Sequence, residues 1–233
     1  MARYVITDIH GCLLSLRELV ENQLQLQPHD ELYLLGDYVN KGPDSRGVLD
    51  YLLALPRRGF QVVCLRGNHD QELLDAAEGH TDRTWATEAD RQLTLASFGV
   101  PRAQDIPLHY LRWLRELPHQ LDIAGWTLVH AGYDFRQPAA TMRHDWHSML
   151  NSKEFTFDAS RLQGRRLVHG HVPTPHAEVQ RRLATHPGAV CLDTGCVYRH
   201  NPELRHLAAF NLDTGELTLQ PNIEREYVIE KRG

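Results

Sequence analysis

Five short polar groups in this chain carry side chains able to hold a metal ion: Asp8-Ile9-His10-Gly11, Gly36-Asp37, Gly67-Asn68-His69-Asp70, His130-Ala131-Gly132 and His169-Gly170-His171. Carboxylate, imidazole and amide oxygen without thiolate suit two hard-to-borderline divalent ions better than a structural zinc. Two such ions roughly 3.5–4 Å apart can share one water, lower its pKa and clamp a phosphate for in-line displacement. A carboxylate shared by both ions is the natural bridge, and Asp37 is the candidate. Each group also carries a glycine (Gly11, Gly36, Gly67, Gly132 or Gly170), which permits a tight turn or a close approach of backbone to a ligand.

The elements that must position these groups read as hydrophobic runs. Residues 3–7, 31–35 and 61–65 have strand character and lie about 30 residues apart. Helices are expected between them, over 13–27 before Pro28, and over about ten residues after an N-cap at Asp44 or Ser45. That spacing indicates parallel βαβ pairing. Residues 127–130 and 166–169 read as two more strands. All five polar groups then fall at C-terminal strand ends, where open α/β sheets bind ligands. Residues 80–120 look helical, with Tyr110, Leu111, Trp113, Leu114 and Leu117 on one face, and are read as a helical cap inserted in a single domain over 1–233. The tail, with strands at 189–192, 206–212 and 216–220, reads as antiparallel.

Bulk properties exclude several classes. A 233-residue chain with 42% hydrophobic residues can bury a core, and a net charge of -5 argues against a general nucleic-acid binder. The pairs Arg57-Arg58, Arg165-Arg166 and Arg181-Arg182 read as solvated surface. No stretch approaches the roughly 18–20 apolar residues of a membrane span, and no apolar leader follows Met1. Cys12, Cys64, Cys191 and Cys196 lack metal-binding spacing and lie in or beside apolar runs, so they read as buried reduced thiols and point to the cytoplasm. His144 and His147 beside Asp145 read as a solvated loop. Asp193-Thr194-Gly195 is repeated only by the turn Asp213-Thr214-Gly215, which excludes an aspartic protease.

Asp8-Ile9-His10-Gly11, Gly36-Asp37-Tyr38-Val39-Asn40-Lys41-Gly42 and Gly67-Asn68-His69-Asp70, with His130 and Gly170-His171 downstream, resemble the calcineurin-like metallophosphoesterases. Within these the resemblance is to the phosphoprotein phosphatase branch, including its bacterial members and the symmetrical diadenosine tetraphosphate hydrolases. It runs from residue 4 to about 198. It implies an α/β protein built as a four-layer α/β/β/α sandwich. It implies two divalent ions, manganese first, with iron or zinc as alternatives. Asp8, His10 and Asp37 would hold one ion, and Asp37, Asn68, His130 and His171 the other. His69 would be a general acid rather than a ligand, with Asn40 as its partner. Arg66, Lys41, Asn68 and Tyr198 would contact the phosphate or substrate.

The sequence departs from the family pattern in four places. Thr7 stands where a Gly is common. Asn40 replaces the Asp that pairs with the catalytic His; an amide can accept a hydrogen bond but cannot stabilise an imidazolium. Lys41 replaces an Arg, keeping the charge and losing the bidentate fork. Trp146-His147-Ser148 falls where a Trp-x-Arg is usual, so a second phosphate arginine is missing unless Arg143 substitutes. A weaker acid at His69 would favour aryl phosphates and anhydrides over phosphoserine. The leading expectation is a phosphoprotein phosphatase acting on Ser/Thr and Tyr, with a phosphoprotein or a small phosphate ester or anhydride as partner. The alternative is a diadenosine tetraphosphate hydrolase, for which the chain looks short of a second nucleotide subsite.

Overall fold

The computed structural model describes residues 1–80, 85, 87–185 and 187–228. In chain order its elements are β1 (Arg3–Ile6), α1 (Leu13–Arg17), β2 (Glu31–Leu34), α2 (Ser45–Arg57), β3 (Gln61–Cys64), α3 (Asn68–Ala77), α4 (Glu88–Phe98), α5 (Leu108–Glu116), β4 (Gln120–Ile123) and β5 (Trp126–Val129). There follow α6 (Ala139–Met142), α7 (Trp146–Asn151), β6 (Arg166–His169), α8 (His176–Leu183), β7 (Ala189–Cys191), β8 (His206–Asn211) and β9 (Leu217–Pro221).

Period-two alternation sets the layers. Ile6, Leu32 and Leu34 pack outward against Leu16, Leu49, Leu73 and Leu114 of the helices. Val5 and Tyr33 face the other way and meet Trp126, Leu128, Val168 and Phe210 between two sheets. Val129 and Leu167 pack on the far side with Tyr133, Met142 and Met149. The result is the four-layer α/β/β/α sandwich. One sheet has the order β3-β2-β1-β8-β9 and the other β4-β5-β6-β7. Strands β1, β2 and β3 run parallel, as do β5, β6 and β7. Each trio therefore sends its C-terminal ends to one edge, and the two edges meet. His130 Nδ1 lies 2.9 Å from Leu35 O, and the amide of His171 donates to the Asp8 carboxylate.

Two expectations need correction. The second half is not antiparallel throughout, because β5–β6–β7 is a parallel run and only β4, β8 and β9 oppose their neighbours. The helix over 13–27 is shorter. After α1 the chain widens into a π-helical stretch, Glu18–Gln23, with Leu24 N bonded to Leu19 O, and Gln25 ends it at φ +47. The segment expected to be helical over 80–120 carries α4 and α5. Phe98 of α4 and Tyr110, Leu111 and Leu114 of α5 join the same outer core as α2 and α3. Residues 81–84 and 86 of that segment lie outside the described residues.

Candidate metal centre

Six acidic, amide or imidazole side chains lie within four residues of six parallel strand ends: Asp8 after β1, Asp37 after β2, Asn68 after β3, His130 after β5, His171 after β6 and Asp193 after β7. The backbone bends sharply to deliver them. Asp8, His10, Asp37, Asn40, Lys41 and His171 all have positive φ, between 46° and 73°. Left-handed backbone at a non-glycine residue costs about 1–2 kcal/mol. Its concentration here marks a site whose geometry overrides local preference.

A buried clamp shapes the first three turns. Asp70 accepts from the amides of Asp37, Tyr38 and Gly67 at 2.9–3.0 Å. Burial pushes its carboxyl above the usual range against the pull of these donors. Gly67 and Gly170 are needed for space rather than for φ. A Cβ at 67 would stand 2.2 Å from Asp37 Oδ1, and one at 170 would stand 2.0 Å from Asp8 Oδ2. Gly11 and Gly36 do require left-handed backbone, at φ +66 and +101.

Two clusters result. His10, Asp37 and His69 bring their donor atoms within 4.8 Å of one another, and so do Asp37, His130 and His171. Asp37 belongs to both. Its Oδ2 lies 3.4 Å from His10 Nε2 and its Oδ1 lies 3.5 Å from His130 Nε2. Asn68 Oδ1 lies 3.0 Å from His130 Nε2 and 2.9 Å from His171 Nδ1. His10 and His130 place their Nδ1 atoms 3.0 Å and 2.9 Å from the carbonyls of Val39 and Leu35. Such anchoring fixes the tautomer and turns Nε2 inward.

The donor set fits divalent ions. Burial, and for His10 also the Lys41 ammonium, pushes the imidazoles of His10 and His130 below the ordinary histidine range; His171 falls to about 2. They therefore present neutral lone pairs. Burial, followed by the charges of Asp8 and Asp70, pushes Asp37 well up. Asp193 is raised in the same way by burial and then Asp8. Buried carboxylates that repel one another call for a cation among them. Lys41 Nζ, 3.0 Å from His10 Nε2, provides one positive charge at this point.

Asp8 lies at the same edge, with both carboxylate oxygens 3.1 Å from the amide of His171. Asp193 was missed at the sequence level, where only its resemblance to a protease triplet was weighed; the signal was its position two residues beyond β7. His69 Nδ1 stands between two groups, Asn40 Nδ2 at 3.2 Å and Glu72 Oε2 at 3.1 Å. Thr94 of α4 donates to Asn40 Oδ1, which turns the amide nitrogen toward the ring. A carboxylate thus does stand beside His69, supplied by Glu72 one helical turn on.

Arg66, expected at the phosphate, is held within the protein by three hydrogen bonds. Arg66 donates through Nε to Leu114 O, through Nη1 to Gln71 Oε1 and through Nη2 to Arg115 O. Its guanidinium caps the C-terminal end of α5, where Leu114 O also accepts from the Leu117 amide. Arg143 bonds Asp122 at 2.9 Å. Tyr198 packs half-buried beside Gly195 against the outer core, and no hydrogen bond joins it to the ligand clusters among the described residues.

Two sheets that focus carboxylates and imidazoles on one edge define a metal-dependent phosphoesterase architecture. The calcineurin-like phosphoesterase family matches residues 1–214, and the chain belongs to that family. It is 39% identical over 134 residues to a symmetrical bis(5'-nucleosyl)-tetraphosphatase of Methylobacillus flagellatus, covering 57% of this chain and 43% of the relative. A protein of the same name from Ectopseudomonas mendocina is 26% identical over 93% of this chain and 97% of its own length. In the first of these matches the chain spans under half of the relative. Among solved structures, a putative diadenosine tetraphosphatase is 25% identical, with a TM-score of 0.61 and coverage of 95% of this chain and 93% of that one. A serine/threonine phosphatase from Saccharomyces cerevisiae has a TM-score of 0.63 at 12% identity, covering 98% and 81%, which shows a shared fold alone. These relatives overturn the expectation of a phosphoprotein phosphatase: the sequence similarity lies with proteins named for a nucleotide anhydride.

Proposed function

We propose that this chain hydrolyses dinucleoside polyphosphates at a dinuclear metal centre, cleaving a bis(nucleosyl) tetraphosphate to two nucleoside diphosphates. The observation that carries the reading is the near full-length similarity to a symmetrical tetraphosphatase, on a chain whose Asp37 turns one oxygen to each of two ligand clusters. Asp8, His10 and Asp37 would hold one ion, and Asp37, Asn68, His130 and His171 the other. Oxygen and imidazole donors without thiolate favour manganese, with iron or zinc next. When bound, the ions supply an activated water and neutralise phosphate charge.

The remaining work belongs to side chains. Lys41 is the cation at hand for a phosphate oxygen. The water oxygen bonds to phosphorus as the bridging P–O bond breaks, and the leaving oxygen belongs to a nucleoside diphosphate. That group departs as a stable anion, so it asks less of an acid than an alkoxide would. His69, held on its Nδ1 side by Glu72 and Asn40, would donate the proton that the leaving oxygen takes. The four cysteines are all free, in keeping with a reducing compartment such as the cytoplasm.

The test is phosphate-bond cleavage by manganese-loaded protein, with diadenosine tetraphosphate, a phosphoserine peptide and a phosphotyrosine peptide compared side by side. The expected result is ADP as the main product and a kcat/KM for the dinucleotide well above that for either peptide. A preference for a phosphopeptide would overturn the reading.

A further inference from the structure

A cleft of about 190 Å³ opens beside Asn68. One wall is α3, which begins at Asn68 and carries Glu72 and Asp75. The other is α7, with Trp146 and Leu150. Because Asn68 also bonds His130 and His171, whatever fills this cleft adjoins the ligand clusters.

The lining defines the chemistry of the occupant. Trp146 is 52% exposed, whereas Trp126 is buried in the inter-sheet core. The His119 ring lies 6.2 Å from the indole at a tilt of 32°, which steadies the side chain while about half of its surface stays open. An indole wall facing a small space is a stacking platform for a flat ring. Across from it, the Glu72 and Asp75 carboxylates repel phosphate, so this space does not receive the polyphosphate. Ionised carboxylates are pure acceptors with about four lone-pair directions. Asp75 Oδ1 takes one bond from Gln71, leaving capacity for a donor on the ligand. The occupant is therefore flat, apolar on its faces and hydrogen-donating at its edge. The volume suits one such ring system and not a whole nucleotide.

We propose that this cleft seats one aminopurine base of the substrate, with Trp146 stacked on its face and Asp75 accepting from its exocyclic amine. The assignment rests on a dinucleoside polyphosphate being the substrate. The polyphosphate then runs from the base past Asn68 to the clusters.

The experiment compares Trp146→Ala and Trp146→Phe with the unaltered manganese-loaded protein on two anhydrides, diadenosine tetraphosphate and base-free tripolyphosphate. The ratio of the two KM values should rise about 5- to 150-fold for Trp146→Ala, the range of one base stacked on one aromatic ring, and less for Trp146→Phe. An unchanged ratio overturns the proposal. A second readout needs no turnover: adenosine titrated into metal-free protein should quench indole fluorescence, and that quench should vanish in Trp146→Ala. If the protein cleaves tripolyphosphate but not the dinucleotide, the proposed function fails, and the adenosine titration alone decides the cleft. Should Trp146→Ala not fold, Asp75→Asn is read instead. It should narrow the preference for diadenosine over diuridine tetraphosphate, uracil having no exocyclic amine, and an unaltered preference refutes the base assignment.

Discussion

Gly170 offers a direct test of how the two sheets hold Asp8. A methyl at this position would stand 2.0 Å from Asp8 Oδ2, 2.6 Å from Thr7 Oγ1 and 2.8 Å from Thr7 Cβ. Ordinary contact begins near 3.4 Å, so the carboxylate must retreat by about 1.4 Å. The backbone cannot absorb that shift, because Asp8 is already at φ +48 and its carboxylate receives the amide of His171, one residue from the substitution. The side chain must swing away from His10 and Asp37. Disturbing a group that orients a ligand costs about 10- to 100-fold in metal affinity, and a misplacement near 1 Å costs about 100-fold in rate. Gly170→Ala should therefore weaken manganese binding by at least about tenfold in calorimetric titration and lower dinucleotide turnover by about 100-fold. Its melting in chelator would show whether it remains folded. Gly59→Ala is the control: a Cβ there meets nothing within 4 Å, and only backbone strain at φ +89 is felt. A Gly170→Ala protein with unchanged manganese affinity would refute the close-approach argument.

Three further outcomes follow from the structure. Asp70→Asn keeps one acceptor oxygen and turns an amide donor toward an N–H, so it should lower stability by about 1–3 kcal/mol in urea denaturation with chelator present; stability equal to the unaltered protein would show that the clamp is not held by Asp70. Glu72→Gln removes the carboxylate 3.1 Å from His69 Nδ1 and should slow alkyl phosphates on the order of tenfold more than p-nitrophenyl phosphate, part of the roughly 10²–10⁴ a general acid contributes; equal slowing of both would deny Glu72 a role through His69. Arg3 holds the Asp213 carboxyl below its usual range, first by hydrogen bonding, so their bridge stabilises the fold above the ordinary carboxylate pKa and is lost as pH falls through the depressed value. With Asp213 38% exposed, solvent screening keeps Asp213→Asn within about 1 kcal/mol at neutral pH, and a melting-temperature gap that does not narrow as pH falls below the ordinary carboxylate pKa would contradict this assignment.

What could be read from the chain alone was set by locality. Asp8, Asp37 and Asn68 announce themselves because alternating apolar runs stop at them and helices begin soon after. The parallel run β5–β6–β7 was hidden because the segments between its strands use the four-residue α6, the six-residue α7 and the short α8, too brief to impose a helical period on the sequence. Arg66 looked like a phosphate ligand by position, yet two of its partners are backbone carbonyls some 48 residues on, which leave no trace in residue type. Glu72 meets His69 through helical register, and Thr94 reaches Asn40 from another helix altogether. The substrate was the least legible feature. Asn40 and Lys41 could be read as a weakened phosphatase, and only comparison with whole relatives moved the reading to nucleotide anhydrides.

The strand order also governs how the chain is made. β1 is the middle strand of its sheet, and one of its two neighbours, β8, comprises residues 206–211. During synthesis the β3-β2-β1 half-sheet therefore waits for most of the polypeptide before that side of β1 is hydrogen-bonded. A nascent chain paused near residue 200 exposes an apolar strand edge of the kind that templates aggregation. Ribosome stalling or truncation just before β8 should thus create a chaperone client, whereas release just after β9 should not.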